Sequence, residues 1–233
     1  MNPRQPKGFT LVEIAIVLVI IGLLLGGILK AVELITGARV RQLITRQESI
    51  KTAFYAFEER FRAIPGDYAQ ATSNIRGVTQ NGNGNGRIEN STVPNESILA
   101  WEHLSQAGFF VPTFIYNATE SALTSPSNSS SVFLQIIYDG VYGAGTIAAP
   151  SPLRHNIKTG SQIPVEILAE MDRKIDDGAP NAGSFQFSRY QGNGATAPTD
   201  GSTAAPACTS STAPAGIWNS TNGSTNCGGA SLL

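Results

Sequence analysis

The sequence predicts an α+β protein: one long N-terminal helix, membrane-spanning in its first half, packed on a head that contains a small antiparallel β-sheet. Three observations predict it. Residues 9–29 form an apolar run whose only charged side chain is Glu13, that run passes without a break into helical apolar spacing, and beyond residue 66 the chain turns to short β-type runs, short helices and polar turns. At 233 residues and 41% hydrophobic content the chain is long enough to bury a core. Its formal net charge of -1 carries none of the basic excess that announces a nucleic-acid footprint.

The apolar run comes first. Residues 1–8 are polar with Arg4 and Lys7, and residues 9–29 then supply a helix of about 30 Å, the thickness of a bilayer's hydrocarbon core. The two basic residues before it hold the N-terminus in the cytoplasm, which leaves the rest of the chain outside. Ordinary signal cleavage is disfavoured, because the apolar run flows into more helix and not into a small-residue cleavage site. Glu13 stands out. A carboxylate inside an apolar span costs several kcal/mol unless paired, which marks it as functional, the alternative being that it reaches out to the interface.

Lys7-Gly8-Phe9-Thr10-Leu11-Val12-Glu13 followed by IAIVLVIIGLLLGGIL resembles the N-terminus of type IV prepilins and of the pseudopilins of type II secretion. The resemblance implies cleavage between Gly8 and Phe9 by a prepilin peptidase at the cytoplasmic face, N-methylation of Phe9, and pairing of the Phe9 amine with Glu13 of a neighbouring subunit. It also implies a pilin-like fold, an inner-membrane assembly platform as partner, and copies of this chain or other pilins in a helical filament. The lipid bilayer holds the chain before assembly. One departure is clear, since many members have a kink-forming proline where this chain has Lys30. The expected organisation is a leader at 1–8, a transmembrane and filament-core helix at 9–29, its amphipathic continuation at 30–63, and an extracytoplasmic head at 64–233.

In the continuation, Val40, Leu43, Ile44, Ile50, Phe54, Phe57 and Phe61 fall near a 3.6-residue period, a face for the head to pack on. Its charged residues form either a solvated face or pairs between subunits. Ile64-Pro65-Gly66 stops the helix.

Within the head, the Asn-Gly repeats around GVTQNGNGNGRIEN favour turns. They also outline a calcium loop: Asn81, Asn83, Asn85 and Gly86 match its early positions, with Glu89 as the nearby charge, although Thr92 stands where the bidentate glutamate belongs. Residues 95–108 predict a short helix capped by Asn95, with Trp101 in the core and Gly108 at its end. Residues 132–138 predict a strand, with 141–147 and 184–190 as companions. Between them, 164–175 predicts a helix with a Glu170 to Lys174 pair. Asp172, Asp176 and Asp177 at its end are either hard-cation ligands or part of a capped helix end and turn. IPGDYAQAT, LAWEHLSQAGFF and MDRKIDDGAPNAG are similar to segments of less studied prepilin-like proteins.

From residue 191 onward small and polar residues dominate, so much of this stretch is expected to be loop. Eighteen residues separate Cys208 from Cys227, and an extracytoplasmic location permits a disulfide, the alternative being two free thiols. Many type IV pilins are similar in closing a C-terminal loop this way. Neither His103 nor His155 makes a metal signature, and no nucleophile elbow, zinc motif or P-loop occurs. The expectation is a structural filament subunit without enzymatic activity and without a cofactor other than candidate calcium. The alternative is a filament-displayed or membrane-anchored binding module for adhesion, DNA or an exported protein.

Overall fold

The computed structural model describes residues 8–91, 93–144, 149–201, 206–210 and 216–233. Residues 1–7 of the expected leader, Thr92 and residues 145–147 of the expected 141–147 strand lie outside the described residues. The chain divides into two compact units, Met1–Arg39 and Val40–Leu233.

Helix α1 (Leu11–Phe61) supplies nearly all described residues of the first unit and opens the second. Within the first unit its apolar side chains face outward; Leu23 and Leu29 are each 73% exposed. Among the described residues α1 is the one helix long and apolar enough to cross a membrane, and none of that apolar window is buried in the protein. A surface of this kind needs lipid or other protein to cover it.

In the second unit α1 becomes one-sided. Val40, Leu43, Gln47, Ile50, Ala53, Phe54 and Phe57 are buried at helical spacing. Ile44 and Phe61 border this stripe half-buried. Fully burying each large apolar side chain contributes about 1.5–3 kcal/mol, which is what holds this helix to the head. The helix ends at Phe61 because Arg62 turns left-handed (φ 53°) and Pro65 follows.

The Asn-Gly region contains one short helix, α2 (Ala71–Asn74). Helix α3 (Glu96–Gln106) starts as predicted: the Asn95 side chain accepts the Ser97 amide at 3.1 Å. It ends at Gly108, whose positive φ permits the Phe109 amide to reach back to the Leu104 carbonyl. Trp101 and Leu104 join Phe54, Phe57, Ile88, Ile136 and Ile157 in one hydrophobic cluster.

The main sheet has four strands in the order β1 (Gln135–Asp139), β2 (Arg154–Lys158), β7 (Gly229–Leu232), β3 (Phe185–Phe187), all antiparallel. Ile136 opposite Ile157 faces the α1–α3 cluster, while Asp139, Asn156 and Lys158 point to the other face. Helix α4 (Val165–Ile175) packs Val165, Leu168 and Met171 with Phe185, Phe187, Val40 and Leu43 in a second cluster. Three strand expectations change. The 132–138 strand begins only at Gln135, the 184–190 strand is confined to Phe185–Phe187, and residues 141–144 form a turn rather than a strand, since the chain folds back there so that the Gly143 amide reaches the Phe187 carbonyl. The small-residue C-terminal stretch is also less of a loop than expected. It supplies β7 and a second small sheet of β4 (Asp200–Gly201), β5 (Thr209–Ser210) and β6 (Ile217–Trp218).

His103 in α3 is fully buried and stacks on Phe57. The Gly66 amide can only donate, so Nδ1 accepts it at 2.9 Å and the ring proton sits on Nε2, which donates to the Gln80 carbonyl at 3.1 Å. Burial pushes the His103 imidazole down to about 4, against an ordinary value near 6.5. Between these values the unfolded chain binds the proton and the folded one does not, so stability falls as pH drops from about 6.5 towards 4. At pH 5 the expected loss relative to pH 7 is about 2 kcal/mol from this group alone. Because burial lowers His155 in the same range and raises Asp172 with the opposite sign, the difference between the wild-type and His103→Gln urea midpoints at the two pH values measures it; an identical pH dependence in that variant rules His103 out as a source.

Candidate functional site

The N-terminal segment begins with a reciprocal cap. The Thr10 hydroxyl accepts the Glu13 amide at 3.2 Å, and the Glu13 carboxylate accepts the Thr10 amide at 2.8 Å and its hydroxyl at 2.9 Å. This is a capping box, with the T-x-x-E spacing of Thr10 and Glu13 as its sequence signal, one that the apolar run around it obscures. Phe9 is 84% exposed at the start of this turn. Gly8 and Phe9 precede the helix and belong to no helix or strand, so the bond between them stands outside regular secondary structure.

The Asn-Gly loop is organised around two buried carboxylates. Asp67 accepts the amides of Asn85 at 2.9 Å and Gly86 at 2.7 Å, and Glu96 accepts those of Asn83 at 2.9 Å and Glu89 at 3.1 Å. Gly82 lies so close to the Gly66–Asp67 backbone that a Cβ would overlap it. Of the sequence-predicted ligands, Asn81, Asn83 and Asn85 use their side-chain oxygens on the amides of Thr72, Asn85 and Arg87, each at 2.9 Å. Glu89 accepts the Asn85 side-chain amide at 2.8 Å. Each of these side chains thus already accepts one hydrogen bond from within the loop. Burial raises the Glu96 carboxyl above its ordinary value, opposed by the two amides it accepts.

At the end of α4, Asp172, Asp176 and Asp177 do come together, each offering an oxygen within 4.8 Å of the others. Asp172 is fully buried and accepts the Trp218 indole N–H at 2.6 Å. Burial pushes its carboxyl up to about 6, the Asp177 and Asp176 charges adding to the effect and the Trp218 N–H opposing it. Trp218 packs on Phe185 and Phe187. It lies inside the loop closed by the Cys208–Cys227 disulfide, whose two cysteines are fully buried in the second cluster. Closing a loop of this size contributes about 3 kcal/mol by limiting the unfolded chain.

A surface cleft is lined by Gln135, Tyr138, Asp139, Lys158, Arg189 and Tyr190. Its two basic residues each have an acidic partner, Lys158 in Asp139 and Arg189 in Asp200. Burial lowers the Lys158 ammonium, opposed by Asp139.

Residues 3–29 match a protein-family profile described as the prokaryotic N-terminal methylation motif, the segment at which type IV pilins and pseudopilins are cleaved and methylated. No curated protein and no solved structure matches the chain.

Proposed function

We propose, from a chain that carries a prepilin-type methylation segment at its start, that it is a structural subunit of a type IV pilus-like or type II secretion pseudopilus filament. It inserts in the inner membrane with the N-terminus cytoplasmic. Prepilin peptidase cuts between Gly8 and Phe9, and the assembly platform moves the processed subunit into a filament of pilins. The observation that carries this reading is the exposed apolar surface of α1, which begins within that methylation segment and continues past it. Such a surface is stable in lipid before assembly and against other helices after it, and each exchange leaves the apolar area covered.

Glu13 gives the exchange a direction. Once Phe9 is the N-terminus, its amine is a cation at the edge of an apolar bundle, and the Glu13 carboxylate of a neighbour compensates it. In the single subunit the same carboxylate caps its own helix through Thr10. Cleavage therefore creates the partner that makes the buried glutamate favourable. The role is structural and requires no chemistry from the head.

The test is intact mass and N-terminal peptide analysis of protein recovered from native membranes and from sheared surface material. A chain starting at N-methylated Phe9 is expected in both fractions for a surface pilus, and in the cell envelope alone for a periplasmic pseudopilus. A chain still starting at Met1, in cells with active prepilin peptidase, overturns the proposal.

A further inference from the structure

Asp172 has a feature that its hydrogen bond to Trp218 does not explain. Its Oδ2 holds the indole and the Gly178 amide also favours the carboxylate, but Oδ1 is buried with no donor in hydrogen-bond geometry. A buried carboxylate oxygen left unpaired costs more than an unpaired neutral group in the same place. Two more carboxylates, Asp176 and Asp177, converge on it at the C-terminal end of α4, where the helix carbonyls already concentrate negative potential. The basic residues of that last turn are turned elsewhere: the Arg173 Nε donates to the Ala169 carbonyl at 3.3 Å, and Lys174 pairs with Glu170 at 2.7 Å.

The surrounding chain holds this arrangement. One Asp176 oxygen accepts the amides of Ser184 and Phe185, and one Asp177 oxygen accepts that of Ala179. Gly183, at φ 73°, lies so close to the Asp176 carboxylate that any Cβ would overlap it. These bonds fix both acids while using one oxygen of each.

We propose that Asp172, Asp176 and Asp177 bind a calcium ion, and that through Trp218 this ion couples the end of α4 to the disulfide-closed C-terminal loop. Oxygen-only, carboxylate-rich donors select a hard cation. Oxygens all within 4.8 Å of one another are close enough for one ion to gather, and calcium's flexible coordination at about 2.3–2.6 Å suits such a set better than magnesium, which demands near-ideal octahedral geometry and keeps its waters. The ion gives Oδ1 of Asp172 a partner and offsets most of the carboxylate charge at the negative helix pole. This proposal stands independently of filament assembly.

The experiment uses the full chain in detergent, stripped with chelator and titrated with calcium chloride, with terbium as a luminescent probe excited through Trp218. Saturable binding with a dissociation constant of roughly 10⁻⁴–10⁻³ M is expected, together with a rise in the thermal midpoint. Asp177→Asn changes an exposed side chain and should weaken binding by at least ~tenfold, with the calcium-free midpoint held. Trp218→Phe should remove the sensitised terbium signal. Absence of saturation at millimolar calcium overturns the proposal, as does equal affinity for magnesium. So does wild-type affinity in both Asp176→Asn and Asp177→Asn, which would put the ion elsewhere.

Discussion

Glu13→Ala is expected to leave cleavage after Gly8 intact and to remove the protein from sheared filaments or from the assembled pseudopilus. In the proposed function the peptidase acts on the Gly8–Phe9 bond before assembly, so the loss falls on packing alone. An uncompensated Phe9 ammonium in an apolar bundle costs roughly 3–5 kcal/mol per subunit contact, a more than 100-fold loss in association that is repeated along the filament. Glu13→Gln separates the two jobs of this residue. Glutamine can keep the Thr10 cap, because a capping box accepts it, but it cannot neutralise an amine. Both variants should therefore be processed and neither assembled. Assembly of the glutamine form alone would make capping the essential task, and normal assembly of both would remove Glu13 from the mechanism.

The largest stability effect in the head is expected from Asp139→Ala. Lys158 is only 4% exposed, and Asp139 both pairs with it and accepts the Asn156 side-chain amide at 3.0 Å. Removing the carboxylate leaves a buried ammonium without its counter-charge, for a loss of roughly 3–5 kcal/mol. In a unit of this size that lowers the thermal midpoint by about 10 °C. The double variant Asp139→Leu with Lys158→Met should recover most of the loss, because apolar residues of similar volume carry no desolvation penalty. Thermal unfolding of the full chain in detergent measures both. A single-variant loss below about 1 kcal/mol would mean that Lys158 finds water instead.

Elements whose cause is local were legible in the residues. The Asn95 cap and Gly108 stop bracket α3, and the stripe from Val40 to Phe57 repeats every turn. The Glu170–Lys174 pair also forms at its helical spacing. Within that stripe Gln47 and Ala53 were missed, because polarity and small size hide a residue whose burial depends on what packs above it. The cap between Thr10 and Glu13 was present as a spacing but lay within a run read for its apolarity.

The sequence by itself determined the membrane-length helix, its N-terminal methylation motif and the α+β class of the head, because bilayer thickness, helical period and a short linear motif all depend on contiguous residues. Only the tertiary structure decided the rest. Strand β7 is built from Gly229, Ala230, Ser231 and Leu232, with no β-propensity to announce it, and it takes an inner place in the sheet because Gly229 leaves room for the Phe185 ring. The Asn-Gly loop resembled a set of ligands in one dimension and in space is wound around Asp67 and Glu96. Asp172 became distinctive only when Trp218, 46 residues away, took one of its oxygens and burial isolated the other. Partners distant along the chain are chosen by packing, and a carboxylate's environment is set by those partners and not by its neighbours in sequence.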